Sequence, residues 1–260
     1  RILPDSCRPL PFEDDGLFFL CEFTDQAEQV CPRAVLRRVV ERARKLGFEA
    51  YAGFEYEVFF FNETPESVRA KNYRDLKPMA PGWFGYSVIR NTVAADFYRQ
   101  MLATCEAMDF GIEGLHEETG PGVIEAAIAF DEALASADKA ALFKTFVKVL
   151  AQRSNMMATF MAKWSQQYPG QSGHIHLSLK KNDESAFFDA NAQHSMSETM
   201  RHFVGGQQRL MPELLAMIAP TINSYTRLIP GFWAPTDSTW GVENRTCALR
   251  VIPGSAKSQR

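Results

Sequence analysis

The residues best suited to chemistry in this chain are acids and histidines spaced two apart inside apolar runs. In Gly53-Phe54-Glu55-Tyr56-Glu57-Val58-Phe59-Phe60-Phe61, Glu55 and Glu57 stand where a core strand would carry apolar side chains. Side chains alternate across a strand with a rise of about 3.3 Å per residue, so the two carboxylates share one face about 6.6 Å apart. Phe54, Tyr56, Val58 and Phe60 fill the other face. At that separation like charges repel by about 2.5 kcal/mol at an effective dielectric of about 20, so the pair calls for protons, water or cations. Gly173-His174-Ile175-His176-Leu177-Ser178-Leu179 repeats the arrangement, with His174, His176 and Ser178 on one face. Acid recurs around a glycine turn, in Leu115-His116-Glu117-Glu118 before Gly120-Pro121-Gly122 and in Val123-Ile124-Glu125 after it. Carboxylates with neutral imidazole suit Mn²⁺, and Mg²⁺ would take mostly the oxygens.

Arginines supply the opposite charge. Arg227 lies in Asn223-Ser224-Tyr225-Thr226-Arg227-Leu228-Ile229-Pro230-Gly231, and Arg245 and Arg250 follow in the segment 243–252. Arg250, alone in a β-type apolar run, needs an anionic partner. Oxygen-rich metal ligands combined with guanidinium groups point to phosphoryl transfer, in which the protein positions a nucleotide and neutralises charge. Neither G-x-x-x-x-G-K-[ST] nor G-x-G-x-x-G is present, which removes the basis for a P-loop or Rossmann reading. His194 and His202 lack any such pattern and read as surface or packing residues.

The elements that position these groups follow from periodicity and punctuation. Residues 16–23, behind Asp14-Asp15-Gly16, read as a buried strand. A helix opens at Pro32, with Val35, Leu36, Val39, Val40, Ala43 and Leu46 as its apolar face, and stops before Gly47. Residues 62–91 are polar and rich in Pro and Gly, hence a long loop. A second helix spans 93–108 through Phe97, Met101, Leu102 and Cys105, and two strands flank the Gly120-Pro121-Gly122 turn. Ser136 is expected to cap a helix reaching about residue 153, with Leu142, Phe143, Phe146, Val147 and Leu150 on its apolar face. Ser195 and Glu198 form a capping-box signature for a further helix, interrupted by Gly205-Gly206 and Pro212. Helices do not alternate strictly with single strands, so the class is α+β with mixed or antiparallel pairing.

Composition narrows the partners. At 260 residues and 46% hydrophobic content the chain can bury a sizeable core, and a net charge of -3 without basic runs argues against nucleic acid or an anionic membrane as partner. The five cysteines (Cys7, Cys21, Cys31, Cys105, Cys247) are scattered, so neither a disulfide framework nor a zinc cluster is indicated and a cytoplasmic location is the default. No apolar run reaches the roughly 20 residues of a membrane span, and the first residues lack the apolar stretch of a signal peptide.

The motifs quoted above, in this order, resemble those of the glutamine synthetase superfamily of ATP-dependent ligases. Glu55 and Glu57, His116 to Glu125, Gly173 to Leu179, Asn223 to Gly231, then Asn244-Arg245 and Arg250 make five ordered blocks over about residues 50–253. The resemblance implies a curved, mostly antiparallel sheet with flanking helices, residues 1–24 ending an amino-terminal β-grasp region and residues 25–260 forming a catalytic domain incomplete at its carboxy terminus. It implies that Glu57, Glu118 and Glu125 bind one Mg²⁺ or Mn²⁺ and that Glu55 and His174 bind a second, which bridges the phosphates of ATP. His176 and Ser178 would lie at the nucleotide, Gly170 and Arg227 at the acid substrate, and Arg245 and Arg250 at the phosphoryl group. The implied reaction phosphorylates the γ-carboxylate of glutamate or a similar acid, and an amine then displaces phosphate.

The resemblance also implies a homo-oligomeric ring that builds each site from two subunits, so the 260-residue chain alone is expected to have little ligase activity. In glutamine synthetases proper the position matching Trp233 is a Glu that helps bind and deprotonate ammonium. An indole instead offers an apolar face and a cation-π surface, which points to an organic amine such as a polyamine or ethanolamine. The readings set against this are an ammonium-using glutamine synthetase, a non-catalytic relative and a metal-dependent phosphohydrolase. A non-catalytic relative has no reason to keep the charge cluster, and a phosphohydrolase leaves the Asn223–Gly231 segment unexplained.

Overall fold

A computed structural model describes residues 1–260. The chain divides into two compact units, one made of Arg1–Arg42, Ala52–Phe160 and Ser172–Ile175, the other of Ala43–Tyr51, Met161–Gln171 and His176–Arg260. The class is α+β with mostly antiparallel pairing, as the sequence indicates. No helix is long and apolar enough to cross a membrane.

The first unit is organised on the strand Glu49–Phe61, which pairs antiparallel with Val123–Ile128, itself paired antiparallel with Ile112–Glu117. Met157–Thr159 adds to the far end of the same strand. Val58, Phe60, Ile124, Ala126 and Ile128 form one face of this sheet. Against it pack the helices Ala95–Ala107, through Phe97, Met101 and Cys105, and Ala133–Arg153, through Leu142, Phe143, Phe146, Val147 and Leu150. Burial at about 25 cal/mol per Å² of apolar surface makes this face the main source of the unit's stability. The acidic face is the opposite one, because alternation allows it nowhere else.

In the second unit the strand Gly173–Lys181 continues beyond Ile175 and pairs with Glu184–Ser185, while Trp240–Val242 pairs in parallel with Leu249–Val251. The helix Glu198–Ile218 lays Met200 and Val204 against Phe187 and Val251.

Local structure departs from the sequence reading at several points, each with a physical reason. The helix ending at Arg153 begins at Ala133, and its cap is Glu132, whose carboxylate accepts from the Leu134 and Ala135 N–H groups at 3.0 and 3.5 Å. Ser136 is instead fully buried, a small residue in line with Ala140, Phe143 and Val147 on the packed side. The later helix is capped by Ser197 rather than Ser195: the Ser197 hydroxyl accepts from Met200 N–H at 3.1 Å and donates to the Ala186 carbonyl at 2.5 Å. That helix runs unbroken through Gly205, Gly206 and Pro212, since packing at Met200 and Val204 overrides weak propensity. Of the expected buried strand, Leu17–Phe18 forms a two-residue ladder with the equally short Arg8–Pro9 and Cys21 a single bridge to Ile2, and Leu17 and Phe23 are exposed.

The helix Pro32–Lys45 has the expected bounds, with Gly47 at φ +83°, but it buries Ala34 and Val40 and exposes Val35, Val39 and Leu46. Ion pairs turn it: Arg33 reaches Asp138 at 2.9 Å and Glu22 at 2.5 Å, and Arg37 reaches Glu28 at 2.5 Å.

Within the supposed loop 62–91 lie two short helices, Pro65–Ala70 and Val88–Val93. A Thr64–Ser67 capping box starts the first. Buried Glu63 locks it, accepting from Lys71 Nζ and Ser67 Oγ at 2.5 Å each and from Lys77 N–H at 2.9 Å. These donors, Lys71 foremost, hold the Glu63 carboxyl down at about 2 from an ordinary 4.5. A depressed carboxyl stabilises the fold above its unfolded pKa and loses that contribution as pH falls through its folded one. Urea midpoints should therefore drop between pH 4.5 and 2 more steeply in the native protein than in Glu63→Gln. Parallel acid limbs would show that Glu63 contributes nothing there.

Candidate active site

Strand register brings the acid face together. Glu125 stands opposite Glu57 on one side and opposite His116 on the other, so His116, Glu125 and Glu57 form a row across three strands. Ala127 stands opposite Glu55, which keeps the face clear of bulk beside that carboxylate. Glu118 continues the face past the end of its strand, its N–H donating to the Val123 carbonyl at 2.9 Å. Ligand atoms of His116, Glu118 and Glu125 all lie within 4.8 Å of one another. His116 Nε2 is 3.2 Å from Glu118 Oε1. Glu57 Oε2 accepts from Ser172 N–H at 2.9 Å, which fixes its rotamer. His174 is exposed on the neighbouring strand, one residue beyond Gly173, whose missing Cβ allows approach to the Glu55 carbonyl.

Two glycines permit this geometry. At Gly122, φ is +70° and a Cβ would fall 2.5 Å from the Phe60 carbonyl oxygen; at Gly85 a Cβ would fall 2.6 Å from that of Glu118. The second contact lets Tyr86 reach the cluster, where its ring stacks on His116 at 5.3 Å and its hydroxyl donates to Glu118 Oε1. Sequence reasoning assigned no role to Tyr86 or His116. His116 was within reach of it, since alternation puts His116 and Glu118 on one face. Tyr86, 30 residues away on a loop, carried no local signal.

Two carboxylates and an imidazole at such distances, with Glu57 directly opposite Glu125, fit a hard divalent cation. Glu117 points the other way. It is 3% exposed, and burial pushes its carboxyl pKa up while Arg90 pulls it back.

The second unit carries the arginines. Arg227 ends the short helix Ile222–Arg227 and is buried, its Nε donating to the Gln171 carbonyl at 3.1 Å and its NH1 to the Phe232 carbonyl at 2.7 Å. Asn223, one turn earlier, clasps the backbone of Lys163 in both directions, accepting from its N–H at 2.8 Å and donating to its carbonyl at 2.6 Å. Gly170 lies directly under Arg227, where a Cβ would stand 2.1 Å from Cδ. Arg250 is paired with Glu243, which supplies the anionic partner its setting required; Arg245 is exposed on the connecting loop. His176 Nδ1 accepts from Arg260 Nε at 3.1 Å, and Ser178 is half-buried on the same strand. Trp233 sits at φ +51° in a turn and is 69% exposed.

The family described as glutamine synthetase, catalytic domain, matches residues 29–260. The chain belongs to this family. A type-1 glutamine synthetase 2 of Dictyostelium discoideum is 43% identical over 95% of the chain and 48% of its own length. A gamma-glutamylethanolamide synthetase, GlnA4 of Streptomyces coelicolor, is 39% identical over the whole chain and 56% of its own length. Among solved structures, a GmaS/ADP complex superposes with a TM-score of 0.84 at 25% identity, covering 96% of the chain and 58% of that protein. The chain thus spans about half the length of the glutamine synthetase relatives it matches.

Proposed function

We propose that the protein is an ATP-dependent ligase that forms a γ-glutamyl amide, with an organic primary amine as acceptor. The observation that carries this reading is the His116–Glu125–Glu57 row with Glu118 beside it, a cluster whose mutual repulsion a bound cation would relieve. His116, Glu118, Glu125 and Glu57 would hold one divalent cation, and Glu55 and His174 a second. Bound metal supplies charge neutralisation for ATP phosphates. His176 and Ser178 would contact the nucleotide, and Arg245 and Arg250 the transferred phosphoryl group, Arg250 being oriented by Glu243. Arg227, fixed by two backbone carbonyls, would receive the carboxylate of the acid with Gly170 keeping the space clear.

For the acceptor, exposed Trp233 supplies an indole face suited to an alkylammonium group. The gamma-glutamylethanolamide synthetase among the relatives favours such an acceptor, and the Dictyostelium glutamine synthetase favours ammonium. Two measurements on the full-length protein decide. ADP release should require both glutamate and an amine; release without an amine would exclude the ligase reading. The kcat/KM for primary alkylamines or ethanolamine should exceed that for ammonium by about 100-fold or more, on the scale of differences set by a few kcal/mol of transition-state contact. Trp233→Glu should shift preference toward ammonium. An enzyme preferring ammonium from the outset would refute the organic acceptor while leaving the ligase reading intact.

A further inference from the structure

Behind the acid face lies a group that the proposed reaction does not use. Glu117, between His116 and Glu118, turns to the opposite side of the sheet, and neither of its carboxylate oxygens receives a hydrogen bond. Glu117 is one of the residues that line a pocket of about 430 Å³. Ile89 and Val93, largely exposed, form its mouth, and buried Phe97 and Ala80 form its floor beside Glu117. Met79 and Met156 complete a wall that is almost wholly apolar. Arg90 also lines the pocket but spends its guanidinium on the carbonyl oxygens of Phe84, at 2.8 Å, and Pro81. A carboxyl group held without a donor among apolar side chains is costly to bury, and a ligand that brings donors would offset that cost.

We propose that this pocket binds a primary alkylammonium ion, with the ammonium on Glu117 and the alkyl chain against Phe97, Met79 and Met156. A primary ammonium group carries three N–H donors to offer a carboxylate that has none, and Asn62 also lines the pocket. A bare divalent cation would want six or more oxygen ligands, which one carboxylate and one amide do not provide. An uncharged alkyl compound would fill the space and leave the carboxylate as it was. The proposal uses none of the residues assigned to the acceptor and stands whether or not that assignment holds.

The test uses full-length protein with ¹³C-methyl methionine, its Met79 and Met156 signals assigned by Met→Leu variants, titrated with n-butylammonium chloride and separately with n-butanol. Saturable shifts of both methyl signals are expected with n-butylammonium. Glu117→Gln, which keeps the shape and removes the charge, should weaken that binding by about tenfold or more and leave n-butanol unchanged. Ala94→Leu, which narrows the pocket with the carboxylate intact, should weaken both. The proposal is overturned by the absence of saturable shifts, by equal affinity for n-butanol, or by binding that neither variant alters.

Discussion

Glu125→Gln is expected to make the metal-free protein more stable and the metal-loaded protein much less so. Glu125 faces Glu57 directly across two strands, and like charges opposite each other in a sheet are destabilising. Removing one should raise metal-free stability by roughly 0.5–1 kcal/mol. With Mn²⁺ at about 100 times its dissociation constant, the native protein should gain about 2.7 kcal/mol by mass action. At about 2–4 °C per kcal/mol for a chain of this size, that is a rise of roughly 5–10 °C. Glu125→Gln should lose most of it, since an amide oxygen is a neutral and weaker ligand for a hard cation. Glu57→Gln should do the same with less disturbance of the backbone, because its amide oxygen can still accept from Ser172 N–H. Thermal melts with and without Mn²⁺ read both signs at once. A merely structural carboxylate would shift the two melts together, and full retention of the Mn²⁺ effect in both variants would remove these residues from the site.

Arg227→Lys should separate binding from scaffolding at the second unit. The guanidinium spans the Gln171 and Phe232 carbonyls, and an ammonium on a flexible stem cannot serve both from one position. One buried carbonyl left without its donor costs about 1–3 kcal/mol, to be seen in urea unfolding. If Arg227 also receives the acid substrate, kcat/KM for glutamate should fall by about 10²–10³, comparable to removing one donor from a charge-stabilising site. Gly170→Ala approaches the same point from the other side, since its Cβ would meet Arg227 Cδ at 2.1 Å and the Ala162 carbonyl oxygen at 2.5 Å. It should raise KM for glutamate more than it lowers kcat. Initial rates with the acid varied check both. Loss of stability with an unchanged KM for glutamate in both variants would leave Arg227 as a tie between two loops and nothing more.

What the sequence determined alone was everything governed by short-range periodicity and sterics. Alternation put Glu55 and Glu57 on the face opposite Tyr56, Val58 and Phe60, and glycines marked the turn between the strands that carry Glu118 and Glu125. The helical spacing of Leu142, Phe143, Phe146, Val147 and Leu150 fixed the buried side of the longest helix of the first unit. The ordered motifs were enough for the family.

Tertiary structure decided whatever depends on a partner distant in the chain. Strand register, a cooperative outcome of the whole ladder, set Glu125 between Glu57 and His116 and so made His116 part of the cluster. The ion pairs of Arg33 and Arg37 with acids outside their helix exposed Val35 and Val39, which a helical wheel assigns to the core. Capping passed from Ser136 to Glu132 and from Ser195 to Ser197 because competing caps differ by a fraction of a kcal/mol to about 2, less than the burial that selects the helix start. Glu117 was indistinguishable in sequence from its acidic neighbour Glu118. Only the packing of the segment around Arg90 and Phe97 behind the sheet gave it a pocket of its own.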